Sequence, residues 1–111
     1  MAIEETLSLV SDSVLQKKIY NNSNYSVIVF VKMNDTASIK ALNTLREFFR
    51  RDFPEQDILF LVVDVNFNEK FAKSLRISIT PTTVVFKGKQ KIYEKICQPT
   101  LADLRNVLHN L

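Results

Sequence analysis

YSVIVFVKMNDTASIKAL, residues 25–42, holds an apolar run from Val27 to Val31, a short polar connection from Lys32 to Asp35, and then apolar residues spaced by three and four. An unbroken run of this kind is a strand buried on both faces. The spacing after it is that of an amphipathic helix, so the stretch is a strand that ends where a helix starts. In open α/β sheets such junctions are where ligands bind.

The remaining elements follow from it in both directions. Upstream, Thr6 to Val10 suggests a short first strand. Ser11 or Asp12 can cap a helix with Val14, Leu15 and Ile19 on one face, which ends in the turn-rich Asn21-Asn22-Ser23-Asn24. Strand 26–31 comes next. Downstream, Ile39, Leu42, Leu45, Phe49 and Phe53 predict a helix over 36–52, stopped by Pro54. Ile58 to Val65 is a second buried strand. Asn66 or Asn68 then caps a short helix carrying Phe67, Phe71 and Leu75. Beyond Pro81, Thr82 to Lys87 and Gln90 to Ile96 form a hairpin whose turn holds Gly88, the chain's one glycine. Thr100 with Asp103 resembles a capping box for a last helix bearing Leu101, Leu104, Val107 and Leu108. The order is β-α-β-α-β-α-β-β-α, in one domain spanning residues 1–111.

Composition narrows the function. At 46% hydrophobic and 24% charged the chain is an ordinary globular sequence. Its net charge of +3 is mild, and lysines and arginines are interleaved with carboxylates, as on solvated faces, so no nucleic-acid partner is expected. No run approaches the roughly 18 apolar residues of a membrane helix, and the acidic start, MAIEETLSLV, does not resemble a signal peptide, so no membrane partner is expected either. The single cysteine, Cys97, cannot close an internal disulfide, which suits a reducing, cytoplasmic compartment. One Cys and one His, His109, give no metal-ligand set. No cofactor is expected.

The element order, the proline ahead of the penultimate strand and the stretch ILFLVVDVNFNEKFAKSLRISITPTTVVFKGKQKI at 58–92 resemble the thioredoxin fold over essentially the whole chain. The resemblance implies a central mixed sheet flanked by helices, with Thr80-Pro81-Thr82 as the cis-proline loop. It also implies two cysteines at the start of the second helix, the first as attacking thiolate and the second to resolve the mixed disulfide. Those positions fall on Asp35 and Ser38, with Thr36 and Ala37 between, and Asn34 stands where the family commonly has tryptophan. Disulfide exchange is therefore not expected at 35–38, and no residue there is assigned a catalytic role. The family's buried carboxylate falls at Val29 and its charged neighbour at Val62. With no thiol to serve, a buried charge at either would cost several kcal/mol without return. In lacking its cysteines the chain is similar to the thioredoxin-like domains of monothiol glutaredoxins and to the spliceosomal thioredoxin-like proteins.

Two readings of the junction stay open at this level. Asp35 and Ser38 are either a helix cap or a carboxylate and a hydroxyl with chemistry of their own, although no histidine is placed in sequence to activate Ser38. Pro81 either shapes the core or, as the resemblance implies, positions the Thr80 backbone to pair with an extended segment of another protein. The expectation is a protein-binding or adaptor module whose surface comprises Asn34, Asp35, Thr36, Ala37, Ser38, Thr80, Pro81 and Gln98. The alternative is a thiol or glutathione-linked protein acting through Cys97, whose plainer reading is a half-buried small hydrophobe.

Overall fold

In a computed structural model, residues 3–6, 11–32, 34–52, 58–97 and 101–108 are described. The strands are β1 (Ile3–Thr6), β2 (Tyr25–Val31), β3 (Leu59–Asp64), β4 (Thr82–Lys87) and β5 (Gln90–Ile96). The helices are α1 (Asp12–Tyr20), α2 (Thr36–Asp52), α3 (Glu69–Ser74) and α4 (Leu101–Val107). One five-stranded sheet runs in the order β1-β3-β2-β4-β5. β2 is parallel to β3 and antiparallel to β4, which makes the sheet mixed.

β2 is buried from end to end, with Val27, Val29 and Val31 on one face and Ile28 and Phe30 on the other. The first set packs with Phe60, Val62 and Val85 against Leu42, Leu45, Phe48 and Phe49 of α2 and Leu104 of α4. The second packs with Leu61, Val63, Val84 and Phe86 against Leu15 and Ile19 of α1 and Phe71 and Ala72 of α3. Two apolar layers on a sheet of period two explain why its middle strands are apolar on both faces, with Ser26, Thr82 and Thr83 the buried polar exceptions among the described residues.

Some boundaries and faces differ from those the sequence predicts. Among the described residues the first strand is Ile3–Thr6, which starts three residues before the expected Thr6 and pairs parallel with β3 from Ile3↔Leu59 to Thr6↔Val62. Residues 7–10 lie outside the described set, as do Phe53, Pro54, Thr100 and His109. β2 begins one residue early, at Tyr25, and β3 covers 59–64 rather than 58–65. Val14, Ile39 and Phe67, expected on buried faces, are all exposed. In α2 the buried stripe is Ser38, Ala41, Leu42, Leu45, Phe48 and Phe49. Its first-turn member is a serine, so an apolar pattern picks the neighbour, Ile39, instead. Phe67 stands before the cap position of α3 and takes no part in that helix's periodicity.

Caps fix two of these helices. Ser11 caps α1, its Oγ accepting from the Val14 amide. Asn68 holds the cap position of α3, yet its side chain makes no capping bond. Asp12 of α1 supplies the missing acceptor, since its Oδ1 accepts from the Phe71 amide at 3.3 Å and from Asn68 Nδ2 at 3.2 Å. The two helices on this side of the sheet are thereby tied end to end.

Candidate functional site

Three of the segments that meet at one end of the sheet form the candidate surface. β2 stops at Val31, β4 begins at Thr82 and β5 stops at Ile96, while Phe30 pairs with Thr82 and Thr82 with Ile96. The chain after Val31, the Thr80-Pro81 step and Cys97 therefore share that end, which is where the resemblance puts the binding surface.

The segment after β2 is a built helix cap. Asp35 Oδ1 accepts from the Ala37 amide at 3.1 Å, and the Asp35 carbonyl accepts the first helical bond, from the Ile39 amide, at 3.1 Å. Ser38 is buried, donates its hydroxyl to Asp35 Oδ2 at 3.1 Å and accepts from the Lys32 amide at 3.3 Å. A carboxylate at this position also faces the positive end of the helix dipole. Of the two readings of Asp35 and Ser38, the geometry is that of the cap: the serine proton and the carboxylate are engaged with each other and with the backbone. Asn34, Thr36 and Ala37 are exposed around it.

The Thr80–Pro81 bond is cis. Pro81 is buried and Thr80 half-buried. Thr82 Oγ1 donates to the Ile79 carbonyl at 2.6 Å, and the Cys97 amide donates to the Pro81 carbonyl at 2.7 Å. Neither bond uses a main-chain group of Thr80. Cys97 is thus joined directly to the proline loop. It is exposed, not half-buried as a small hydrophobe would be, and it sits at φ 65, in the left-handed region. Gln98 lies outside the described residues.

Two members of this surface escape a reading of the sequence. Ile79, before the cis bond, is 49% exposed and Ile96, paired with Thr82, is 47% exposed. Large aliphatic side chains on either side of a polar main-chain step form an apolar rim. In sequence both look like core residues, Ile79 by composition and Ile96 by its place in a strand. Only the edge position of β5 and the loop at 77–80 bring them to the surface.

Behind this end lie the two positions at which the resemblance implies buried charges. Val29 and Val62 pair directly across β2 and β3, and both are buried. Among the described residues no three His, Cys, Asp or Glu side chains gather as a metal site, and no helix is long and apolar enough to cross a membrane.

No family profile and no curated protein matches the chain. Solved structures do. A thioredoxin of Fasciola hepatica superposes with a TM-score of 0.76 at 20% identity, covering 96% of this chain and 97% of that one. A thioredoxin of Schistosoma mansoni gives 0.75 at 20% identity over 99% and 94%. A chain from a study of thiol resolution in yeast mitochondrial 1-Cys peroxiredoxin by the glutathione and thioredoxin systems gives 0.76 at 23% identity over 96% and 93%. Element order, mixed sheet and full-length superposition agree: this chain has the α/β thioredoxin fold.

Proposed function

We propose that the chain is a protein-binding module without dithiol chemistry, and that it grips a partner through the end of the sheet formed by Asn34 to Ser38, Thr80-Pro81 and the residues around Cys97. The observation that carries the reading is the pair Ile79 and Ile96, both about half exposed, the first directly before the cis Thr80-Pro81 step and the second paired with Thr82 directly after it. An apolar rim around a main-chain segment suits an extended peptide, which supplies backbone hydrogen bonds to the segment and side chains to the rim. The cysteine-free Asp35-Ser38 cap supports it, because a locked cap presents a fixed surface and offers no attacking thiolate.

Quantitative co-purification with Ile79→Lys and Ile96→Lys variants tests this. Both positions are exposed, so the variants are expected to fold. Proteins retained by the parent chain should be lost from them and kept by Val14→Lys and Phe67→Lys, which alter exposed apolar residues on the α1 and α3 side. Equal retention by all four variants would refute the surface.

Exposure of Cys97 beside Pro81 favours a second reading, a thiol or glutathione-linked protein acting through that residue. It requires Cys97 to react with an electrophile at neutral pH faster than free cysteine does. An equal rate would eliminate it.

A further inference from the structure

We propose that the opposite end of the molecule, where the last turn of α1 meets the β4–β5 hairpin, is a docking surface for an acidic, extended segment of another protein. Contacts fix this corner. The Tyr20 and Phe86 rings lie 5.8 Å apart, the Lys87 ammonium sits 5.0 Å from the Tyr25 ring centroid, and a Cβ placed on Gly88 would lie 3.9 Å from the Asn22 carbonyl oxygen. The helix end bearing Lys17 and Lys18 therefore abuts the hairpin bearing Lys87, Lys89 and Lys91, and all five lysines are exposed.

The segments that build the corner are free of carboxylates over long runs. Although basic residues are interleaved with carboxylates over the chain as a whole, here they are not: no Asp or Glu occurs from Ser13 to Asn34 or from Lys70 to Tyr93. The hairpin's Glu94 lies 2.8 Å from Lys91. Among the described residues, the last turn of α1 and residues 87–94 carry five lysines and one carboxylate, Glu94. That excess of four is larger than the whole chain's net charge of +3. One-sided charge of this kind raises the encounter rate with a polyanion and orients it.

Chemistry at the corner selects the polyanion. Tyr25 is buried under Lys87 and Tyr20 is packed on Phe86, so neither ring is offered for stacking against a base. The exposed apolar side chains Val14, Ile39, Phe67, Ile79 and Ile96 lie away from it, which leaves Ile92 as its one exposed aliphatic group among the described residues, too little for insertion into a bilayer. Spaced ammonium groups on a helix end and a hairpin match carboxylates spaced along an extended chain.

Fluorescence anisotropy with a labelled peptide of alternating glutamate and serine tests the inference on the intact protein. The peptide should bind, more weakly as salt rises. Lys87→Glu with Lys89→Glu should weaken binding about tenfold or more, whereas the charge-matched Lys70→Glu with Arg76→Glu, on and after α3, should change it less than about twofold. Because Lys87 covers Tyr25, Lys17→Glu with Lys89→Glu serves as a second pair that leaves this contact alone. Equal losses from all three pairs would overturn the assignment. So would tighter binding of single-stranded DNA of matched charge, or of anionic phosphatidylserine vesicles, than of the peptide. The pairs lie away from Ile79 and Ile96, so failure here leaves the partner surface at the other end untouched.

Discussion

Val29 and Val62 face one another across β2 and β3, and Thr83 of β4 pairs with Val29 from the other side, so the row Val62–Val29–Thr83 crosses three strands in the core behind the cis-proline loop. In this row the two positions that the thioredoxin resemblance associates with charge are both filled by valine. Restoring the charge should be costly. Val29→Asp places a buried carboxylate between Val62 and Thr83, neither of which carries a charge, and is expected to lower unfolding free energy by about 3 kcal/mol or more near neutral pH. Burial raises the pKa of such a carboxyl, so the penalty is small below the unfolded-state value of about 4 and grows as pH rises above it. Urea unfolding at about pH 4 and pH 7 reads the difference directly, and equal losses at both would contradict it.

Thr83 carries the row's one hydroxyl. Its Oγ1 is buried and finds no hydrogen-bond partner among the described residues. Valine has the same shape without the polar atom. Thr83→Val is expected to be neutral or to stabilise by about 1 kcal/mol, since an unmatched buried hydroxyl carries a desolvation cost. A loss of that size would show that the hydroxyl is satisfied in solution.

Helix α3 depends on a residue far away in sequence. Asp12→Ala removes the acceptor for the Phe71 amide and Asn68 Nδ2, and should cost about 1 kcal/mol, the usual worth of a helix cap. Amide exchange should quicken at Phe71 while α2, capped by Asp35, stays protected. Unchanged exchange at Phe71 would show that the bond is not formed.

Asp52 gives a pH-dependent prediction. Hydrogen bonds from Arg51 and then Arg105 hold its carboxyl below the ordinary 3.8. A carboxylate with a lowered folded-state pKa contributes stability that is fully present above the unfolded value. That contribution fades as pH falls through the folded value. The parent should therefore exceed Asp52→Asn in thermal stability above about pH 4, with the gap closing as the solution is acidified further. The bridge is exposed, so the gap should also shrink in high salt.

Much of this fold is legible in the sequence where local signals and packing agree. Strand β4, strand β5 and helix α2 fall at 82–87, 90–96 and 36–52, as turn chemistry and periodicity predict. The cap at Asp35 is one of the two readings that residue type allows, and its hydrogen bonds to Ala37 and Ser38 decide for it. What is not legible is non-local. The cap of α3 comes from Asp12, 56 residues before Asn68, although Asn68 is itself a residue type that caps helices. The buried stripe of α2 passes through Ser38, a polar residue that hydropathy excludes, so periodicity alone assigns Ile39 to the core. Strand β1 is a short edge element, IEET, with little apolar content to mark it. At the candidate site, the resemblance is enough to name Asp35, Ser38, Thr80 and Pro81. The exposure of Ile96 and Cys97 depends on β5 being an edge, and that of Ile79 on the loop at 77–80, which tertiary structure alone decides.

Hydrogen–deuterium exchange of the chain, free and with a co-purified partner bound, tests the partner surface most directly. Binding at the cis-proline end should bring new protection to the amides of Ile79, Thr80 and Ala37 and to the Ile96–Cys97 end of β5, with α1 and α3 unchanged. Protection confined to the α1 and α3 side, or along the outer edge of β5 without the cis-proline loop, would contradict it.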